Sequence, residues 1–268
     1  MNVSRRSLLA FGAAAFVPAA ALPVIDMEAV LKAAQWDPAK ADSAITPGAG
    51  PSVRLVETAL RKRGLLDAAY EDGHFGTRTV TAYAQWQREL GYSGIDASGL
   101  PGRTSLTRLG EGQFTLTRIV SAGARTSHQG FPVNERTLAM LRAAQARSAL
   151  TFAVEQGSYS PGADPTSAGT HDGGGALDLD AEALTAARRT AAVTALRQVG
   201  FAAWLRTPSQ GDWPLHIHAV AISDPDLSAP AQKQTGAYYE GRNGLANNAA
   251  DDGPRVPKVT YEEYIRST

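Results

Sequence analysis

Cysteine is absent from all 268 residues. That excludes disulfides and any thiolate metal site, so stability must come from an apolar core, from bound metal, or from both. Excess charge of one sign is also absent, since 26 basic and 26 acidic side chains cancel. A balanced chain lacks the electrostatic footprint of a nucleic-acid binder or of a protein held on anionic membranes. The apolar run near the N-terminus, Leu8 to Ala21, falls short of the roughly 20 residues that span a bilayer. No stable membrane span is therefore expected once that segment is removed. Histidine is scarce, five residues in all, yet three of them fall in two short runs, around His171 and at His216-Ile217-His218.

The N-terminus reads as a targeting segment. Arg5-Arg6 precede the apolar run, and Ala19-Ala20-Ala21 offers small residues for cleavage. The pair resembles a twin-arginine export signal. Residues 1–21 are assigned to that signal, which implies export to the periplasm or the extracellular cell wall. Residues 22–51 read as a linker holding a short helical piece, Asp26 to Gln35, broken by Pro38, Pro47 and Pro51.

Residues 52–110 carry helical spacing. Val53, Val56 and Leu60 share one face, with Gly64 as a stop. Thr79, Ala82, Tyr83, Trp86 and Leu90 form a second face, and Thr104, Leu106 and Leu109 a third. Asp72-Gly73-His74-Phe75-Gly76, then Trp86-Gln87, then Gly99 to Leu109 resemble the small three-helix peptidoglycan-binding domain of secreted wall enzymes. The resemblance implies peptidoglycan or its muropeptides as partner. The same residues also serve as caps and packing groups in any helical bundle. His74 reads as an exposed turn residue and His128 as a solvated loop residue.

A second unit is expected over 114–246. A helix from Asn134 to Ala146, a strand at Leu150–Val154, a strand at Ala176–Asp180, a helix from Glu182 to Val199, and strands at Phe201–Leu205 and Ile217–Ile222 lack regular βαβ spacing. The fold class is α+β: a helical bundle, then a domain with a short antiparallel sheet. Residues 247–268 read as a surface tail. The two units are expected to be separable, and the chain monomeric.

The chemistry is concentrated in His171-Asp172-Gly173-Gly174-Gly175-Ala176-Leu177-Asp178 and His216-Ile217-His218. Neutral imidazoles with one carboxylate suit a hydrolytic metal that keeps a position open for water. Three glycines permit a tight return of the chain between His171 and Asp178. In a strand, His216 and His218 share one face. Asp172, Asp180 and Glu182 read as loop, outer-sphere or helix-start residues, with Asp180 sharing the strand parity of Asp178.

His-x-x-Gly-x-Ala-x-Asp followed by His-x-His resembles the zinc D-alanyl-D-alanine carboxypeptidases and the wider group that includes lysostaphin-type endopeptidases and hedgehog domains. His171, Gly174, Ala176 and Asp178 meet the first motif. The resemblance implies Zn2+ on His171, Asp178 and His218, with His216 assisting catalysis. It implies an exported peptidase acting on stem peptides or crosslinks. The usual acid three residues before the last ligand is replaced by Leu215, leaving Asp212 as the nearby carboxylate. Tyr159 and Ser160 stand for substrate contacts, without the arginine that often follows the aromatic. Two other readings fit the same residues: a zinc-containing wall-binding protein without activity, and an amidase that releases whole stems.

Overall fold

Met27, Val30, Leu31 and Ala34 fall at i, i+3, i+4 and i+7, the spacing of one helix face. In the computed structural model, which describes residues 21–41, 44–244 and 246–268, that face is almost wholly buried. The expected export segment lies outside the described residues but for Ala21. The short strand β1, Val24–Asp26, pairs in parallel with β2, Thr115–Thr117. Helix α1, Met27–Trp36, follows at once, its first turn capped by Asp26, which accepts from the Ala29 N–H at 3.1 Å. The segment expected as a linker is thus part of the core.

Helices α2 (Gly50–Lys62), α3 (Thr77–Glu89) and α4 (Arg103–Leu109) occupy the expected positions. The aromatic face of α3 also carries polar handles. Tyr83 meets the Ser105 hydroxyl at 2.9 Å, and the Trp86 indole N–H donates to the Ser105 carbonyl at 3.0 Å. Gly99 holds φ +83°, and a Cβ there would lie 2.4 Å from the Val80 carbonyl, so the turn after α3 requires glycine. His74 is buried rather than exposed, because its Nδ1 pairs with the Ala44 carbonyl at 2.8 Å.

The rest of the chain is mixed helix and sheet. A hairpin, β3 (Arg125–His128) and β4 (Phe131–Asn134), leads into α5, Glu135–Ser148. His128 lies in that hairpin, half-buried. Then come β5 (Val154–Gln156), β6 (Ala176–Asp180), α6 (Ala186–Gln198), β7 (Phe201–Arg206), β8 (His216–Ala221), α7 (Ala229–Tyr239) and α8 (Tyr261–Ser267). Strands β5-β6-β8-β7, in that order, form an antiparallel sheet. The strand expected at Leu150–Val154 starts later. Glutamine side chains take the earlier backbone groups: Gln145 accepts from Phe152 N–H, and Gln129 bridges the Phe152 carbonyl and the Val154 N–H, each at 2.9 Å. Helix α6 begins at Ala186 rather than Glu182, because Thr185 caps it.

Strand parity divides the sheet. Leu177, Leu179, Ala203, Ile217 and Ala219 lie in one core with α5 and α6. Ala202, Trp204, Val220 and Ile222 point the other way, into a core shared with α1, α2, α3 and α7. Trp36 of α1 stacks on Tyr239 of α7, ring centroids 4.5 Å apart. The Gln35 side chain accepts from the Ser223 N–H at 3.0 Å. The helical unit and the sheet therefore share one interior.

The C-terminal segment, expected as a tail, is tied down. Arg197 is almost fully buried and pairs with Asp251 at 2.7 Å. From α8, Glu262 pairs with Arg136, Glu263 with Lys32 and Arg266 with Glu28. Among the described residues no helix is long and apolar enough to cross a membrane.

Candidate metal centre

The face of the sheet that carries Trp204 and Val220 turns polar toward one end. Register places Asp178 opposite His218 and Asp180 opposite His216 across β6–β8. Across β7–β8 it places Trp204 opposite His218 and Arg206 opposite His216. Residues two apart share a face, so the apolar half of this face is core and the polar half lines a pocket. The pocket has a volume of about 440 Å³, and His171, Asp178, His216 and His218 all line it.

His171 enters from a tight 3-10 turn, Thr170–Asp172, just before the three glycines. Those glycines are needed because other chain segments clasp the turn. A Cβ on Gly173 would lie 2.3 Å from the Asp226 carbonyl, and one on Gly174 would lie 2.6 Å from the Tyr159 hydroxyl. The Gly174 N–H donates to the Asp226 carbonyl at 2.8 Å. The return then delivers Asp178 onto β6.

The second nitrogens of the rings set which atoms face inward. His171 Nδ1 lies 2.9 Å from the Gly157 carbonyl, which can only accept, so Nδ1 carries the proton. Its Nε2 is buried, has no hydrogen-bond partner among the described residues, and stands 3.2 Å from Asp178 Oδ2. His218 Nε2 meets the Gln234 side-chain oxygen at 2.7 Å, and the Gln234 amide nitrogen donates to the Thr170 hydroxyl at 2.9 Å. That amide orientation puts the proton of His218 on Nε2 and leaves Nδ1 facing Asp178 Oδ1 at 2.6 Å. His216 repeats the arrangement, with Nδ1 on the Pro214 carbonyl at 2.8 Å and Nε2 3.7 Å from Asp178 Oδ1.

Two imidazole nitrogens thus converge on one carboxylate, an arrangement that a bridging cation or a shared proton would satisfy. His171, Asp178 and His218 each offer a ligand atom, and these atoms lie within 4.8 Å of one another. The group could hold a metal ion. Burial works against charge on Asp178, but His218 and His171 outweigh it and hold the carboxyl well below the usual carboxylate range. Burial lowers the His218 pKa, which favours the neutral ring, whereas at His171 the opposing burial is outweighed by Asp178 and the pKa is raised, so a metal there must displace a proton. Ionised carboxylate and neutral imidazole are the forms that bind metals. Gln234, Thr170 and the Gly157 carbonyl fix ring orientation, as partners of ligating histidines usually do.

The other residues singled out from sequence fall in different places. Asp212 is exposed and does not line the pocket; the loop turns its neighbour Trp213 inward instead. Tyr159 also lies off the pocket: its hydroxyl donates to Asp226 at 2.5 Å, and its ring packs under the Arg125 guanidinium. Its contacts brace the glycine turn. Ser160 lies off the pocket too, its N–H donating to the His171 carbonyl at 3.0 Å. Asp180 accepts from the Glu182 N–H at 2.7 Å and is bonded to no histidine among the described residues.

Four residues not selected from sequence take part in the site or its support: Glu155, Asp164, Arg206 and Gln234. Glu155 and Asp164 line the pocket beside Asp178. Asp164 already accepts from both the backbone and the hydroxyl of Thr166. Burial, then the neighbouring Asp180, raise the Glu155 pKa above its ordinary value. The only sequence signal for Arg206 was its parity with Trp204; Gln234, on a separate helix, had none.

Comparison with family models, with curated proteins and with solved structures found no match to this chain.

Proposed function

We propose that this chain is an exported zinc metallopeptidase that cuts the stem peptides or crosslinks of peptidoglycan. The observation that carries the reading is the convergence of His171 Nε2, an Asp178 oxygen and His218 Nδ1, with the second nitrogen of each ring already engaged by a protein acceptor. Three N/O ligands without sulfur, lining a pocket, are the donor set of a hydrolytic zinc site. Zinc held there by His171, Asp178 and His218 would lower the pKa of a bound water to about 7 and would polarise the scissile carbonyl.

The chain's own residues do the rest. His216 presents Nε2 beside the cluster and can hold or deliver a proton at the reacting oxygen or leaving nitrogen. Glu155, on the opposite strand edge of the pocket, is the carboxylate suited to proton transfer in place of Asp212. The glycine turn and Gln234 keep the ligand atoms aimed. The helical unit over residues 52–110 supports the peptidoglycan assignment through its motif, and the N-terminal arginine pair supports export.

A second reading has one specific observation in its favour. Leu215, at the position expected to carry the base, packs against the apolar core. On that reading the protein binds muropeptides through its metal site without cleaving them.

Mass spectrometry of purified muropeptides incubated with the zinc-loaded chain separates the outcomes. Loss of terminal D-alanine or opening of crosslinks, abolished by a chelator and restored by zinc, is expected. Release of whole stems identifies an amidase. Unchanged muropeptides that nevertheless bind favour the non-catalytic reading.

A further inference from the structure

One wall of the metal pocket stands apart from the scaffold. Asp164, Thr166 and Ser167 line it, and they belong to the excursion that carries the chain from Tyr159 to Thr170. Both ends of that excursion are fixed. The Tyr159 N–H donates to the Gly173 carbonyl at 2.8 Å and the Ser160 N–H to the His171 carbonyl at 3.0 Å, so the ends lie side by side. Thr170 is buried, and its hydroxyl accepts from Gln234 at 2.9 Å.

Residues 161–168 bond mostly to themselves. The Asp164 carboxylate accepts from the Thr166 N–H at 2.8 Å and the Thr166 hydroxyl at 2.7 Å. The Asp164 carbonyl accepts from the Ser167 hydroxyl at 2.7 Å. The Ala163 N–H closes a turn onto the Ser160 carbonyl at 3.2 Å. Among the described residues, no hydrogen bond or ion pair joins this stretch to anything beyond Ser160. A loop with adjacent ends and its own internal bonds can move as a unit, because few bonds to the body must break.

Backbone geometry marks the pivots. Gly162 has φ +68°, and a Cβ there would meet nothing within 4 Å. Ala168 at φ +49° and Gly169 at φ +76° are two left-handed residues in succession. Left-handed backbone is unfavourable for a residue with a Cβ, yet Ala168 is exposed and no packed surroundings impose its conformation.

We infer that residues 161–168 are a lid on the metal pocket, hinged at Gly162 and at Ala168–Gly169 and seen here closed. Closure sets Asp164, Thr166 and Ser167 over the ligand. Opening removes that wall and leaves the sheet face and Trp213. A closed lid keeps water from the bound ligand, and its opening sets release. The inference needs only that the pocket takes a ligand, so it holds whether the site cuts muropeptides or merely binds them.

The hinge residues give opposite expectations. Gly169→Ala puts a Cβ on a left-handed residue; its nearest neighbour, Asp172 Oδ2 at 3.2 Å, ends a flexible side chain, so the penalty falls on the backbone. The open form gains by roughly tenfold. Ala168→Gly lifts a penalty of the same kind, and the closed form gains by about as much.

Because the chain has no cysteine, two can be introduced and spin-labelled without interference: Ala163→Cys on the loop and Arg188→Cys on α6, both exposed. Pulsed electron resonance then reads the distance between the labels in the zinc-loaded full chain, with and without purified muropeptides. Two distances are expected, with Gly169→Ala and Ala168→Gly moving their ratio in opposite directions and muropeptides drawing each chain to the closed one. A single distance, the same in wild type and both hinge variants, overturns the lid. So do distances that muropeptides leave unmoved while they are bound or cut, since the stretch is then only a loose surface loop. Closure on muropeptides that stay uncut keeps the lid and loses the peptidase reading. A chain that binds no muropeptide loses that reading too, and the hinge variants then decide the lid. Should Gly169→Ala fail to fold, wild type against Ala168→Gly still decides it.

Discussion

His218→Ala is expected to lose its metal, and His216→Ala to keep metal and fold but lose turnover by about 100-fold or more. The two residues are alternate positions of one strand, share one face and line one pocket, so a purely structural role would make their variants alike. Their surroundings predict otherwise. His218 is locked between Asp178 at 2.6 Å and Gln234 at 2.7 Å, whereas His216 Nε2 stands 3.7 Å from the same carboxylate. Three ligands suffice for a zinc site that keeps a position open, so His216 is free to act on substrate. Metal content and the kinetics of muropeptide cleavage, measured on both variants, check this. Metal loss in His216→Ala with retention in His218→Ala would reverse the roles.

Residues 111–268 produced alone are expected not to fold to a native sheet. Ala202, Trp204, Val220 and Ile222 of the sheet and Leu227, Tyr238 and Tyr239 around α7 share their core with α1, α2 and α3. Each large apolar side chain uncovered costs roughly 1.5–3 kcal/mol, and an ordinary domain has only about 5–15 kcal/mol in total. Uncovering even a few of them exhausts that margin. Helix α7 also carries Gln234, so loosening it disturbs His218. The fragment is expected to show no cooperative thermal transition and no stoichiometric metal, while the same fragment extended back to residue 22 shows both. A short fragment with a sharp transition and bound metal would restore the view of two separable units.

The sequence carried the elements of the site well because their signals are local. His-x-His with β-branched and small neighbours specifies a strand face, and three consecutive glycines specify a return that no other residue tolerates. The short segment Ala176–Asp180 reads as a strand from its alternation alone. What escaped detection depends on tertiary packing. The helical piece near Asp26 showed a clean apolar face, but proline-rich flanks made it resemble a linker; only the sheet it covers reveals it as core. The acidic and basic residues of 247–268 look like a solvated tail until Arg197, Arg136 and Lys32 supply their partners. Asp212 could serve as base only if its loop curled back toward the site, yet one residue of turn sends Trp213 inward and Asp212 out. Glu155, Arg206 and Gln234 come from three different elements, and no spacing rule links them to His171.

The central claim is that His171, Asp178 and His218 form one metal centre. Native mass spectrometry of the full chain purified with zinc, beside His171→Ala, tests it most directly. The account predicts one zinc per wild-type chain and none in the variant, with a lower melting temperature for the variant because metal binding stabilises only the folded state. Full zinc in a folded His171→Ala chain, or none in wild type, would contradict it.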